Sequence, residues 1–372
     1  MKIAHIIKDL VVGGIQSQLL DIMHYSMHNN KGCILICIGD GELKETFEKL
    51  GQNVVFIKKK YPLFDPVLIF KLRRFLIKEK IDIVHAHHIS EAIVCYFASR
   101  GLPVKTVLSL HAAPAITNKQ DNFLFKKMAF LMDACIVPSL AQLIALKKRG
   151  YPAPKITVIH NGIWPNRIDK KNAKKNMRKE LGLPENSLLL GMIGNFYNAT
   201  RDQLTVCKAL PLVFKKFPNA YFIFWGGHTN PYSKSNTSIK ACLDFCENAG
   251  LTDKVFFPGI EKDTASIYAA LNLFVYASQH DTFGIAFVEA MFNKVPVVIN
   301  DLELFCEITE SRDHAYYYPT GQPTKLAEAI IKALTNHKTT CKKTDDAYRH
   351  VSKKYHIAQH IQALDNFYKK IN

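Results

Sequence analysis

No run in this 372-residue chain reaches the roughly 18 uninterrupted apolar residues that a membrane-spanning helix needs. The opening MKIAHIIKDLVVGG lacks a basic region leading into a long apolar stretch with a small-residue cleavage site, so it reads as a first strand and not as an export signal. A cytoplasmic protein is expected, with any membrane contact peripheral on the inner face of the plasma membrane. The nine cysteines are odd in number and scattered, several of them inside apolar runs such as Cys33 and Cys37 in CILICIG. Free, mostly buried thiols in a reducing compartment are the expectation. Cys242 and Cys246 stand one helical turn apart, but no second pair at zinc spacing accompanies them. There is no low-complexity tract, no internal repeat, no G-x-G-x-x-G fingerprint and no D-x-D motif at a strand end of the second half, so neither a metal nor a cofactor is expected.

Acidic residues are scarce as well: 32 Asp and Glu stand against 49 Lys and Arg, a net charge of +17. That excess suits anionic partners such as nucleotide phosphates or acidic headgroups, or simply a solvated surface. A basic nucleic-acid-binding protein is an alternative, but no recognisable module interleaves the cations with exposed aromatics, and no nucleic-acid partner is expected.

What the chain does contain is an alternation of short apolar runs with amphipathic stretches. Runs at 2–7, 33–39, 53–57, 82–87, 105–111, 134–139 and 155–160 are separated by helical patterns such as 42–51 and 65–80. Strands of five to seven residues alternating with helices predict an α/β fold with parallel strands covered on both faces. The stretch 164–187 is polar and basic with prolines near each end, and reads as a linker with one short helix. The alternation restarts at 188–195, 220–227, 254–259, 271–278 and 295–300, predicting a second doubly wound sheet. Expected boundaries are therefore 1–165 for an N-terminal Rossmann-like domain, 166–347 for a C-terminal Rossmann-like domain, and 348–372 for a final amphipathic helix. Two such sheets carry their ligand crevices at the carboxyl ends of their strands, which suits an enzyme that holds two substrates across a cleft.

Several residues stand where chemistry is expected. Gly13 and Gly14 follow the first strand and open the first helix, where backbone N–H groups can face an anion or the chain can simply turn tightly. Arg201, in ATRDQ after the strand ending at Asn195, is placed to grip a diphosphate through both ends of its guanidinium. In SQHDTFGIAFVEAMFNKVPVVIND (278–301), Asp281 lies in a polar loop and Glu289 eight residues on, in what reads as the first turn of a helix whose opening amides come from Gly284, Ile285 and Ala286. A carboxylate such as Glu289 is the usual partner of ribose hydroxyls. His87 and His88 (VHAHH) end a strand and are read either as acceptor contacts or as capping and packing histidines. Cations beside aromatics at 58–64 and 70–80 suit an anionic membrane, or a basic helix with its apolar face in the core.

The order of these motifs resembles the retaining glycosyltransferases of family 4, which have the GT-B architecture. The marks are Gly13-Gly14-Ile15-Gln16, His111 in LSLHAA, Asn161-Gly162, Gly194-Asn195 with Arg201-Asp202-Gln203, and Asp281 to Glu289 followed by Ala290 and Pro296-Val297-Val298. The resemblance spans nearly the whole chain, and the last segment is its most specific part. It implies that Gly13, Gly14 and Gln16 line the donor phosphate side and that His111 contacts the reacting sugar or acceptor. Asn195 and Arg201 would lie on the diphosphate and Glu289 on the ribose, while Asp281 with the Phe283-Gly284-Ile285 backbone would meet the donor sugar. His111, Arg201 and Asp281 would be the catalytic group, the first domain would be the acceptor side and the second the nucleotide-sugar donor side, and the final helix would cross back to brace the N-terminal domain.

The implied reaction is transfer of a sugar from a UDP- or GDP-sugar to a glycan or lipid-linked acceptor, with retention, in bacterial polysaccharide or lipopolysaccharide synthesis. Asn195 stands where the family commonly has Arg, Asp281 where it has Glu and Thr282 where it has Gly, departures that bear on donor choice and catalytic strength. A nucleotide-sugar 2-epimerase of the same architecture is the alternative within enzymes, and it would turn over UDP-N-acetylglucosamine with no acceptor present.

Overall fold

The computed structural model describes residues 1–29, 32–61, 65–111, 119–197, 200–227, 237–310 and 312–372. Of the stretches singled out above, residues 62–64, Ala112, Ala113 and Ala199 lie outside the described residues. The chain forms two compact units, Met1–Gly162 with Ile357–Asn372, and Ile163–His356.

The first unit is built on strands β1 Ile3–Ile7, β2 Cys33–Cys37, β3 Val54–Phe56, β4 Ile83–Ala86, β5 Lys105–Ser109, β6 Ala134–Val137 and β7 Ile156–Val158. They form one all-parallel sheet in the order β3-β2-β1-β4-β5-β6-β7. Helices on both faces leave little of the central strands in contact with water, which is why these segments read as continuous apolar runs and do not alternate. All five residues of β2 and all four of β4 are buried. Local sequence starts the helices. Asp65 accepts from the amide of Leu68 at 3.0 Å with Pro66 at the first helical position of Pro66–Lys78, and Ser139 accepts from Gln142 at the head of Leu140–Lys148.

The second unit repeats the plan with β8 Leu188–Ile193, β9 Ala220–Trp225, β10 Val255–Gly259, β11 Leu273–Tyr276, β12 Val297–Asn300 and β13 Tyr316–Tyr318, parallel in the order β10-β9-β8-β11-β12-β13. In both sheets the winding direction reverses beside the first strand, between β1 and β4 and between β8 and β11. Those are the places where a doubly wound sheet opens a crevice.

Three expectations need correction. The stretch 164–187 carries two short α-helices, Pro165–Ile168 and Met177–Glu180, with a 3-10 turn at Lys170–Asn172 between them, rather than one helix. The strand Tyr316–Tyr318 had no counterpart among the apolar runs, because three tyrosines beside charged neighbours do not register as an apolar segment. The helix expected from 348 is in fact the end of His337–Lys354; the chain breaks at Tyr355 and His356, and a separate helix, Ile357–Ile371, belongs to the first unit. Gly162 explains how that last helix fits: a Cβ there would lie 2.6 Å from the Cβ of His360 and 2.8 Å from the Cα of Ile357. Among the described residues no helix is long and apolar enough to cross a membrane.

Candidate functional site

The second unit gathers its polar residues at the carboxyl ends of β8, β11 and β12. Gly194 and Asn195 leave β8, and the chain returns at Arg201 to form an isolated antiparallel bridge with Ser278, just past β11. Nη1 of Arg201 donates to Oγ of Ser278 at 3.0 Å and lies 3.0 Å from Oδ2 of Asp281, with the guanidinium 5.1 Å from the centre of the Tyr276 ring. Tyr276 donates its hydroxyl to the same Asp281 oxygen at 2.7 Å, while the other oxygen accepts from the amides of Thr282 and Phe283. Burial works against the charge of Arg201, but Asp281, Tyr276 and Tyr197 outweigh it and raise its pKa above the ordinary value. The cation is therefore permanent, and it is already paired.

The loop then turns at Gly284, whose φ of 85° is left-handed, and the helix Ile285–Phe292 begins. A Cβ at Gly284 would lie 2.2 Å from the ring of Phe287, so glycine is required for space as well as torsion. The side chain of Phe283 is buried edge-on against Tyr355, which leaves only its backbone to meet a ligand. Glu289 is the fifth residue of this helix and so does not lie in its first turn as expected. It is 4% exposed, with Oε1 2.5 Å from Nη2 of Arg167 and Oε2 accepting from the Tyr268 hydroxyl at 2.8 Å. Neither partner is legible from motif spacing; Arg167 sits 122 residues away, in the polar, basic stretch between the two alternating halves.

Asn195, expected on the diphosphate, has its amide engaged inside the unit. Its Oδ1 accepts from the amide of Gly227 at 2.7 Å and its Nδ2 donates to the Tyr197 hydroxyl at 3.0 Å. The Gly226-Gly227 turn after β9 was not singled out, yet a Cβ on Gly226 would sit 2.2 Å from the carbonyl oxygen of Gly194. The dipeptide in FWGGH was the available signal.

The first unit places Gly13 as the residue before the helix Gly14–His28, in an extended conformation (φ −167°) that any residue adopts. What a side chain there would meet is Oε1 of Gln16, at 2.9 Å. Gln16 itself is tied back into the loop, its Nε2 donating to Oδ1 of Asp9 at 2.9 Å. His88 precedes the helix Ile89–Ser99, and its Nε2 is buried with no partner among the described residues. His87 is 4% exposed and shares hydrogen bonds with His5 and His111, so it belongs to an internal cluster of imidazoles and does not itself face an acceptor.

Two family profiles divide the chain. One described as Glycosyltransferase Family 4 matches residues 12–167, and one described as Glycosyl transferases group 1 matches residues 173–351. The N-acetyl-alpha-D-glucosaminyl L-malate synthase of Bacillus anthracis is 24% identical over 291 residues, 77% of this chain and 73% of its own. The UDP-Gal:alpha-D-GlcNAc-diphosphoundecaprenol alpha-1,3-galactosyltransferase of Escherichia coli is 23% identical over 323 residues, 81% of this chain and 80% of its own. Among solved structures, Anabaena HepE in complex with UDP-glucose superposes with a TM-score of 0.85 over 100% of both chains, at 20% identity, a likeness of fold.

Proposed function

Because the chain belongs to the family-4, group-1 glycosyltransferases, we propose that it moves a sugar from a nucleoside-diphosphate donor, UDP-linked by preference, onto a glycan or lipid-linked acceptor with retention of configuration. The observation that carries this reading is Arg201, held by Ser278 and Asp281 at the switch point of the second sheet, one short loop from the helix that opens at Gly284. As the bond from the sugar to the diphosphate breaks, negative charge gathers on the leaving oxygens. A fixed guanidinium and the amides at a helix start stabilise that charge more than they stabilise the bound donor. The UDP preference draws support from the UDP-galactose in the name of the Escherichia coli relative and the UDP-glucose in HepE.

Glu289 would take the ribose, sharing oxygens that Arg167 and Tyr268 already orient. Asp281 is committed to Arg201 and Tyr276, so it is a poor nucleophile, and a same-face displacement in which the leaving phosphate helps deprotonate the acceptor fits these residues better. No metal is invoked, and turnover is expected to be unchanged by a chelator such as EDTA. The defining test is a thermal-shift panel of UDP- and GDP-sugars on the wild type, Arg201→Ala and Glu289→Ala. Stabilisation by one donor in the wild type alone is expected; an equal shift in all three proteins would sink the assignment.

A specific observation favours a lipid-linked acceptor reached at a membrane surface. In the first unit Phe70 and Ile77, seven residues apart on Pro66–Lys78, are 60% and 55% exposed beside Lys71, Arg74 and Lys78. The diphosphoundecaprenol-linked acceptor in the name of the Escherichia coli relative points the same way. Synthesis of a bacterial polysaccharide or lipopolysaccharide is the process that fits such an acceptor.

A further inference from the structure

Strands β11 and β12 part at the carboxyl edge of the second sheet. Their backbone ladder ends with Tyr276 opposite Ile299, while β12 runs on beside β13 for one residue more, Asn300 opposite Tyr318. The next rung between β11 and β12 is made by a side chain. Oδ1 of Asn300 accepts from the amide of Ser278 at 3.1 Å, and its Nδ2 donates to the Ser278 carbonyl at 2.8 Å. A backbone N–H only donates and a carbonyl only accepts, so these two partners fix which way the carboxamide faces. Asn300 thus supplies the donor and acceptor of one more strand residue across a gap that the two backbones have opened. Both residues are buried, so the two backbone groups of Ser278 depend on it. In the sequence Asn300 is only the last residue of the apolar run 295–300.

What Ser278 holds in turn is Arg201. The segment from Thr200 to Asp202 is clipped along Ala277 to Gln279 by two backbone hydrogen bonds. The Asp202 amide donates to the Ala277 carbonyl at 3.1 Å, and the Gln279 amide donates to the Thr200 carbonyl at 2.8 Å. The Ser278 hydroxyl owns one proton, and the carbonyls of Thr200 and His280, at 2.8 Å and 2.9 Å, are the acceptors within its reach. Its lone pairs are what Nη1 of Arg201 meets, at 3.0 Å.

We propose that Asn300 is a positioning residue for Arg201: by clamping both backbone groups of Ser278 it fixes the hydroxyl that aims the guanidinium at the donor's diphosphate. The proposal rests on the reading of Arg201 as the cation that meets that diphosphate. Asn300 acts through Ser278, because both hydrogens of its Nδ2 are committed, one to Ser278 and one to Oγ1 of Thr320 at 2.9 Å. Thr320 is held as well, its amide and its hydroxyl donating to Oδ1 of Asp301 at 2.9 Å and 3.0 Å. The ion pair with Asp281 does not replace this clamp, since Asp281 sits three residues after Ser278 in the same loop and moves with it. A shorter side chain at 300 leaves the amide and carbonyl of Ser278 unpaired, and the loop must shift to satisfy them.

The test is a double-mutant cycle in the full-length protein, read by calorimetric titration with UDP, or with GDP where the thermal-shift panel selects it. Arg201→Ala is expected to weaken binding about ten- to a hundredfold, the loss of one charge-assisted contact. Asn300→Ala should weaken it about tenfold through misplacement of that contact. The Ser278 amide should also lose its protection from hydrogen–deuterium exchange. In the double variant the nucleotide should bind no more weakly than in Arg201→Ala alone, because Asn300 has no guanidinium left to position. A purely structural role for Asn300 would instead make the two losses multiply, to within about twofold.

Asn300→Ala with the affinity of the wild type, or with the Ser278 amide still protected, overturns the proposal, and so do losses that multiply. Should Asn300→Ala fail to fold by circular dichroism, Asn300→Asp takes its place, keeping the volume and the acceptor but not the donor to the Ser278 carbonyl. Wild-type affinity or multiplying losses in that variant are equally fatal. If Arg201→Ala itself binds the nucleotide as tightly as the wild type, the diphosphate reading fails and takes the proposal with it. A loss in Arg201→Ala with none in Asn300→Ala defeats the positioning role alone.

Discussion

At the scale of single residues, the pairing of Arg201 with Asp281 sets the terms for donor binding. An incoming diphosphate must compete with a carboxylate that already lies 3.0 Å from the guanidinium. Asp281→Asn removes that competing charge and keeps Oδ1 as acceptor for the amides of Thr282 and Phe283. UDP is expected to bind this variant about tenfold more tightly, the scale of one partly buried charge pair. Turnover should fall, because the loop carboxylate no longer fixes the sugar. Calorimetric titration with UDP checks the first part, and weaker binding would show that the carboxylate does not oppose the diphosphate. The motif residues themselves were readable from spacing: Asp281, Gly284 and Glu289 are consecutive marks on one loop and helix. Their partners were not. Arg167 reaches Glu289 from a distant segment that composition marks only as polar and basic, and Tyr268 and Tyr276 look like ordinary core aromatics until the sheet places them under the site.

At the scale of elements, the histidine-bearing face of β1 and β4 has a consequence for acid stability. Burial, the largest cause in each case, lowers His5 and His111 to about 3 and His360 to about 4, against an ordinary value of 6.5. As pH falls below 6.5 the unfolded chain takes up protons that the folded unit refuses. The stability contributed by the neutral rings is therefore complete above 6.5 and is lost progressively toward pH 3 to 4. Three such groups give a slope of up to about 4 kcal/mol per pH unit in the window where the unfolded rings are charged and the folded rings are not.

Between pH 6.5 and 5 most carboxylates are still ionised, which isolates the effect. Both tryptophans, Trp164 and Trp225, lie in the second unit, so fluorescence follows that unit alone while far-ultraviolet circular dichroism sees both. Urea titrations at pH 7 and pH 5 should show the dichroism midpoint moving down while the fluorescence midpoint moves much less. Coincident shifts would refute the assignment of acid lability to the first unit. None of this face was visible beforehand as a cluster. In the sequence His87 and His111 stand as separate strand-end residues and His5 and His85 as members of apolar runs, because the register that brings them together is a property of strand order and not of spacing.

For the molecule as a whole, the positive excess of 17 suits an anionic surface, and the exposed apolar side chains concentrate in the first unit. Large apolar residues exposed in the first unit include Val67, Phe70, Ile77, Phe97, Phe123 and Phe130, while the second unit exposes only Leu212, Leu243, Ile260 and Tyr348 among its described residues. A groove of about 480 Å³ beside the edge strand β3 is walled by Lys58, Lys71, Arg74 and Lys78, and the Arg74 guanidinium lies 5.7 Å from the centre of the Phe70 ring. Cations interleaved with exposed aromatic and aliphatic side chains on an amphipathic helix match the requirements of an acidic bilayer surface, where each basic residue contributes about 1 kcal/mol and each apolar side chain adds its transfer energy. A solvated basic helix would need no Phe70 or Ile77 facing water. The protein is therefore expected to sediment with vesicles rich in phosphatidylglycerol and not with phosphatidylcholine alone, and to be released as salt rises from 0.1 to 0.5 M, ionic strengths over which the screening length falls from about 10 Å to below 5 Å. Phe70→Asp with Ile77→Asp should abolish sedimentation while leaving the donor-induced thermal shift in place, since neither residue belongs to the second unit. Retention of the double variant on acidic vesicles at low salt would reduce the interaction to charge alone and remove this helix as the docking element.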